Sequence, residues 1–123
     1  MKLFLLSGAI FGFLSVALGA FAAHGLKSRL PEHLIHVFKT GVEYQFYHAL
    51  ALLLTGLLMK VFQVQALQWT GWFFIAGIVM FSGSLYMLAL TGIKWFGPIT
   101  PLGGVCFLVG WSILFFSLLK VNV

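Results

Sequence analysis

Residues 40 to 54 read TGVEYQFYHALALLL, in which Glu43, Tyr44, Gln45, Tyr47 and His48 stand at the head of a run that is otherwise apolar. A carboxylate and an imidazole are the side chains that exchange protons most readily near neutral pH, and together they can serve as acid and base or hold an ion. The phenols and the amide can orient whatever such a pair holds. His24, at the end of AFAAHGL, is expected to come close to this group through a short hairpin. Two imidazoles and a carboxylate could also ligate a metal. No HxxxH pair and no second cysteine beside Cys106 supports that reading, and haem held through His24 and His48 is weaker still, so no metal or cofactor is expected. There is no Asp, which excludes a Ser/His/Asp triad, and neither a phosphate loop nor a dinucleotide motif appears.

These side chains need a scaffold, and composition says which kind. Of 123 residues 62% are hydrophobic and 7% charged, whereas a soluble domain carries roughly 25% charged residues. Uncharged runs extend from Leu3 to Leu26, Tyr44 to Met59, Val61 to Ile93 and Trp95 to Leu119. About 20 apolar residues cross a ~30 Å hydrocarbon layer as a helix. The chain therefore reads as one all-α membrane domain with four transmembrane helices, at about 3–23, 41–60, 69–90 and 101–119. An amphipathic segment, 31–42, lies between the first and second, with Leu30, Leu34, Phe38 and Val42 recurring every four residues. MKLFLLSGAIFGFLSVALGAFAA has the basic start of a signal peptide, but its apolar stretch of about 21 residues exceeds the usual 7 to 15 of a signal core, so it is expected to be a retained span.

Seven Lys and Arg against two Glu give a net charge of +5. The cations stand singly at the ends of apolar runs, as interface anchors do, so the expected partner is the lipid bilayer and not nucleic acid. Four spans place Lys2, Lys60 and Lys120 on one side and Lys27, Arg29, Lys39 and Lys94 on the other. With the α-amino group the two sides balance, and the positive-inside rule fixes no orientation.

Counting back from Lys60 at 1.5 Å per residue sets His48 about 18 Å and Glu43 about 26 Å away, so His48 lies well inside the layer and Glu43 near its far boundary. If the helix runs unbroken from the amphipathic segment into the span, about 100° per residue puts His33, His36, Thr40, Glu43, Tyr44, Tyr47, His48 and Thr55 within an arc of about 140°. Lipid penalises such a stripe, which is expected to face protein or trapped water. Glu43 can reach Tyr47, and Tyr44 can reach His48, one helical turn on.

Small residues govern how helices meet in lipid. Gly8, Ser15 and Ala22 recur every seven residues, as do Gly77, Ser84 and Thr91, and Gly103, Gly110 and Ser117; Gly8 and Gly12 form a GxxxG. These seams predict a tight left-handed bundle and a surface for homo-oligomer contacts. Gly25 is expected to close the first helix in a left-handed conformation, and Thr100 and Pro101 to start the fourth as N-cap and first residue. Ser82 and Ser84 are expected to bond their own helix or a neighbour, and Trp111 lies too deep for an aromatic belt and needs a buried partner.

AFAAHGL at 20–26, FKTGVEYQFYHALALL at 38–53, FSGSLY at 81–86 and GPITPLGGVCFLVGW at 97–111 together resemble the YgdD/YwdK family of small bacterial inner-membrane proteins. Ala22 and Gly41 depart from the family's usual AFGAHGL and TAVEYQ, and Gly41 is a weak point for a helix continuing into the second span. The resemblance implies a four-helix, multi-pass protein of the bacterial cytoplasmic membrane and supplies no reaction. The residues favour a structural or binding membrane protein over an enzyme. A small oligomeric transporter or channel for protons, ions or a small solute, using Glu43 and His48, is the main alternative, and an enzyme of lipid headgroups a third.

Overall fold

The computed structural model describes residues 1–122. It contains four long helices, α1 (Lys2–His24), α2 (Glu32–Phe62), α3 (Leu67–Thr91) and α4 (Ile99–Leu119), and no strand among the described residues. All four spans are helical because the bilayer core offers no water to backbone amides, and a helix satisfies them internally. By length and composition all four can cross a membrane.

α1 and α2 form one antiparallel pair, α3 and α4 a second, and the two pairs close around Phe4, Leu52, Phe74, Ile78 and Phe107. The pairs approach closely where glycine lies on the contact. A Cβ added to Gly8 would come within 2.8 Å of the Ala49 carbonyl oxygen, and one added to Gly103 would overlap the backbone of Phe81. Gly77 faces the Phe107 ring and Gly110 the Phe74 ring, while Gly12 has looser contact with Ala49. Ser15, Ala22 and Ser117 are also buried. Thr91 is not; it is exposed at the end of α3 and donates to the Met87 carbonyl.

Three local expectations are corrected. The amphipathic segment and the second span are a single helix of 31 residues, which passes through Gly41 without a break. That helix is about 46 Å long, some 16 Å more than the hydrocarbon layer, so its first turns protrude. Pro31 stands just before its first residue, with φ −59° and ψ 152°. Gly25 is right-handed (φ −86°), because the chain continues into hydrogen-bonded turns through Leu26 to Leu30 and needs no left-handed reversal there. Among the described residues the left-handed ones are Gln63 and Gly92, at the ends of α2 and α3. Finally, α4 starts at Ile99 after Pro98, which leaves Thr100 inside its first turn and free to bond sideways.

Within α3, Ile78–Ser82 winds as a single π turn. The wider turn carries an extra residue and re-aims everything after it. It lies where Phe81 presses on Gly103 and where Ser82 meets α2.

Candidate functional site

The inward line of α2 is Gly41, Gln45, His48, Leu52 and Thr55, all buried and spaced alternately by four and three residues. Its two polar members with the greatest bonding capacity are tied to every other helix between them. The Gln45 amide nitrogen donates to the Phe11 carbonyl on α1 (2.9 Å), and its oxygen accepts from the Tyr86 hydroxyl on α3 (2.6 Å). The His48 Nε2 atom accepts from the Trp111 indole N–H on α4 (3.0 Å). His48 Nδ1 lies 2.8 Å from the Tyr44 carbonyl oxygen. An indole N–H can only donate and a carbonyl can only accept, so His48 must carry its hydrogen on Nδ1 and leave Nε2 bare. The geometry thus specifies one neutral tautomer. The ring is clamped further by Phe107, stacked at 3.6 Å and 8°, and by Phe74 and Trp111 edge-on.

α3 supplies the rest. Ser82 Oγ donates to the Gly41 carbonyl on α2 (2.7 Å), and the Ser84 hydroxyl shares a hydrogen bond with Thr100 on α4 (2.6 Å) while lying 2.9 Å from the Phe81 carbonyl. A Cβ at Gly41 would come within 2.8 Å of the Tyr86 ring, which is why glycine is accommodated here inside a helix. Tyr86 and Thr100 are partners that the spacing within α2 could not reveal. The signal for Tyr86 lay in FSGSLY, whose three hydrogen-bonding side chains alternate with apolar or small ones in a span that has no other hydroxyl between Gly71 and Leu90.

The structure does not gather the other candidate residues. Glu43 and Tyr47 are exposed on the outer face of α2, and His24 is exposed at the end of α1. Tyr44 lies between the two faces, 38% exposed, with its ring against Phe81 and Tyr47. His33 and His36 are exposed as well. The arc reasoning therefore needs correcting: the inward direction of α2 is turned roughly a quarter turn from the middle of the polar arc, so that His48 and Thr55, at the arc's edge, point in and Glu43 points out. Gly41, Ala49, Ala51 and Gly56 set that rotation, since only the small face of α2 can meet its neighbours closely. Tyr44 meets His48 through its backbone carbonyl and a parallel ring at 6.4 Å, not through its hydroxyl.

Beside His48 a groove of about 460 Å³ opens between α2, α3 and α4, lined chiefly by Tyr44, Phe81, Gly104, Phe107, Leu108 and Trp111. Its wall is aromatic and its one deep polar group, His48, is already bonded. Among the described residues no three His, Cys, Asp or Glu side chains converge as a metal site. Among the described residues Thr70 alone has a buried side-chain oxygen without a partner.

A family model described as "Protein of unknown function (DUF423)" matches residues 18–104, a range that holds Gln45, His48, Ser82 and Tyr86. The chain belongs to the DUF423 family. Over 121 residues it is 46% identical to the UPF0382 membrane protein YwdK of Bacillus subtilis (strain 168), with 98% of each chain covered. A UPF0382 membrane protein of Staphylococcus aureus (strain bovine RF122 / ET3-1) is 45% identical over 120 residues, and one of Staphylococcus haemolyticus (strain JCSC1435) 44% over 120, again with 98% of each chain covered. No solved structure matches significantly. The resemblance read from the four sequence motifs is thus shown by the family match. The DUF423 bundle is a membrane protein of a family whose biochemical role is unknown.

Proposed function

We propose that this DUF423 protein is a non-catalytic structural or binding protein of the bacterial inner membrane, assembled from copies of itself. The observation that carries this reading is that Gln45, His48, Ser82, Ser84, Tyr86, Thr100 and Trp111 are bonded to one another or to backbone across helix contacts. Polar groups used in this way hold a bundle together. A transport path needs groups that can change partners, and Glu43, the only carboxylate in the second span, lies on the opposite face of α2 from His48's bonding partners. An inner-membrane address is supported by the helical spans, since outer-membrane proteins of this kind are barrels, and by relatives that are bacterial membrane proteins.

Self-association is supported by the outer face of α2. Glu43, Tyr47, Leu50, Leu54, Leu57 and Val61 are all exposed and follow alternating steps of four and three, the spacing that lets two helices mesh along a seam. A polar upper end and a leucine-rich lower end favour a parallel pairing, in which like meets like at the same depth.

Proteoliposome assays test the reading. No proton or cation flux above protein-free vesicles is expected, and Leu50→Cys and Leu54→Cys are expected to cross-link between copies in native membranes. Flux abolished by Glu43→Gln with the fold intact would establish the small transporter instead.

A further inference from the structure

On the side of the membrane where α1 turns into α2, a cavity of about 500 Å³ is lined by Ala22, Ala23, Lys27, Leu30, Glu32, Ile35 and Lys39. Its lining shares no residue with the groove beside His48. Three features of this cavity belong together. First, its depth: Lys39 is one span length from Lys60 along the continuous helix α2, about 31 Å at 1.5 Å per residue, which sets the cavity at the level of the phosphates of one leaflet. Second, its charge: Lys27 and Lys39 bring two ammonium groups and Glu32 one carboxylate, for a net lining charge of +1. Third, its base: Ala22 is 1% exposed, and Leu30 and Ile35 pack onto the cluster of Ala22, Leu26, Phe38 and Ala89, so the cationic rim stands over a fixed apolar base.

The wall is built, not a loose loop. Leu26 is buried, its amide donates to the Phe21 carbonyl, and its own carbonyl accepts from Arg29 and Leu30. The Pro31 carbonyl then accepts from Leu34 and Ile35 as α2 begins.

We propose that this cavity is a binding site for the headgroup of a singly charged anionic phospholipid, with Lys27 and Lys39 on the phosphodiester and the glycerol and upper acyl carbons over Ala22, Leu30 and Ile35. A phosphate between two flexible ammonium groups is a standard anion contact. The apolar base distinguishes a lipid from a free phosphate, which would gain nothing from it. Glu32 sets the preference: it offsets one of the two cations, so a headgroup of one negative charge balances the lining and a multiply phosphorylated one does not. None of its lining residues takes part in the hydrogen bonds of the polar network around His48.

Native mass spectrometry of the detergent-solubilised full chain with added phosphatidylglycerol, phosphatidylcholine or glycerol phosphate tests the assignment. Phosphatidylglycerol is expected to bind at least tenfold more tightly than phosphatidylcholine, and glycerol phosphate at 1,000-fold excess is expected not to displace it. The Lys27→Gln/Lys39→Gln variant should lose that preference, whereas Lys2→Gln/Lys120→Gln, on the opposite side, should keep it. Glu32→Gln should bind phosphatidylglycerol more tightly. Equal losses in the two lysine pairs would overturn the site in favour of general surface attraction. Displacement by glycerol phosphate would overturn its lipid identity. Because the readout is lipid binding, its failure leaves the flux and cross-linking results for the whole protein untouched.

Discussion

Gln45 and His48 point into the bundle, and Glu43 and Tyr47 point out of it, although all four lie within one stretch of six residues on α2. The inward pair is bonded to α1, α3 and α4. The outward pair is exposed on the surface of the bundle. A membrane protein cannot rely on apolar burial to choose which face of a helix turns inward, because lipid is as apolar as its own interior. Small residues and hydrogen bonds make the choice, and on α2 they coincide: Gly41 admits Tyr86, and Tyr86 reaches Gln45 one turn further on.

The contrast between the faces can be tested by substitution, with stability followed in bilayer nanodiscs. The largest effect is expected on α4, where Gly103 and Gly104 repeat the contrast at adjacent positions. Gly103→Ala pushes a methyl group into the Phe81 backbone, which no rotamer can relieve, and should cost about 3 kcal/mol. Gly104→Ala finds the nearest atom 3.9 Å away and should stay within about 0.5 kcal/mol of the parent. His48→Leu comes next, at about 2 kcal/mol, because it leaves the Trp111 indole N–H without its acceptor. A double-mutant cycle with Trp111→Phe should return a coupling of about 0.6 kcal/mol, the average for hydrogen bonds between helices in membranes, and not above about 1.7 kcal/mol. Gln45→Leu is expected to cost about 1 to 2 kcal/mol by stranding the Tyr86 hydroxyl, and adding Tyr86→Phe should recover part of it. Smallest are Glu43→Gln and Tyr47→Phe, each within about 0.5 kcal/mol. If Glu43→Gln costs as much as Gln45→Leu, the two faces are not different in kind.

That the chain forms four long apolar helices could be read from sequence because run length and charge are local quantities; of the small-residue seams that recur every seven residues, all members but Thr91, at the exposed end of α3, are buried. Trp111 was also legible: its depth alone demanded a partner, and His48 is that partner. The rotation of α2 was not legible. An arc of polar residues shows which side chains share a face but not where that face points, and here the direction depends on contacts between Gly41 and Tyr86 and between Ala49 and Gly8, far apart in the chain. The π turn at Ile78–Ser82 escaped for the same reason, since it fits α3 to two neighbours at once and leaves no mark in the hydropathy of IVMFS.

The state of one imidazole tests the central claim most directly. In ¹⁵N-labelled protein reconstituted in bilayers at neutral pH, solid-state NMR should find His48 with a protonated Nδ1 and a bare Nε2 that is hydrogen-bonded to the Trp111 indole N–H. A charged ring, or a neutral ring carrying its proton on Nε2, is incompatible with accepting from an indole and would mean that His48 is not part of the bond that holds the second and fourth helices together.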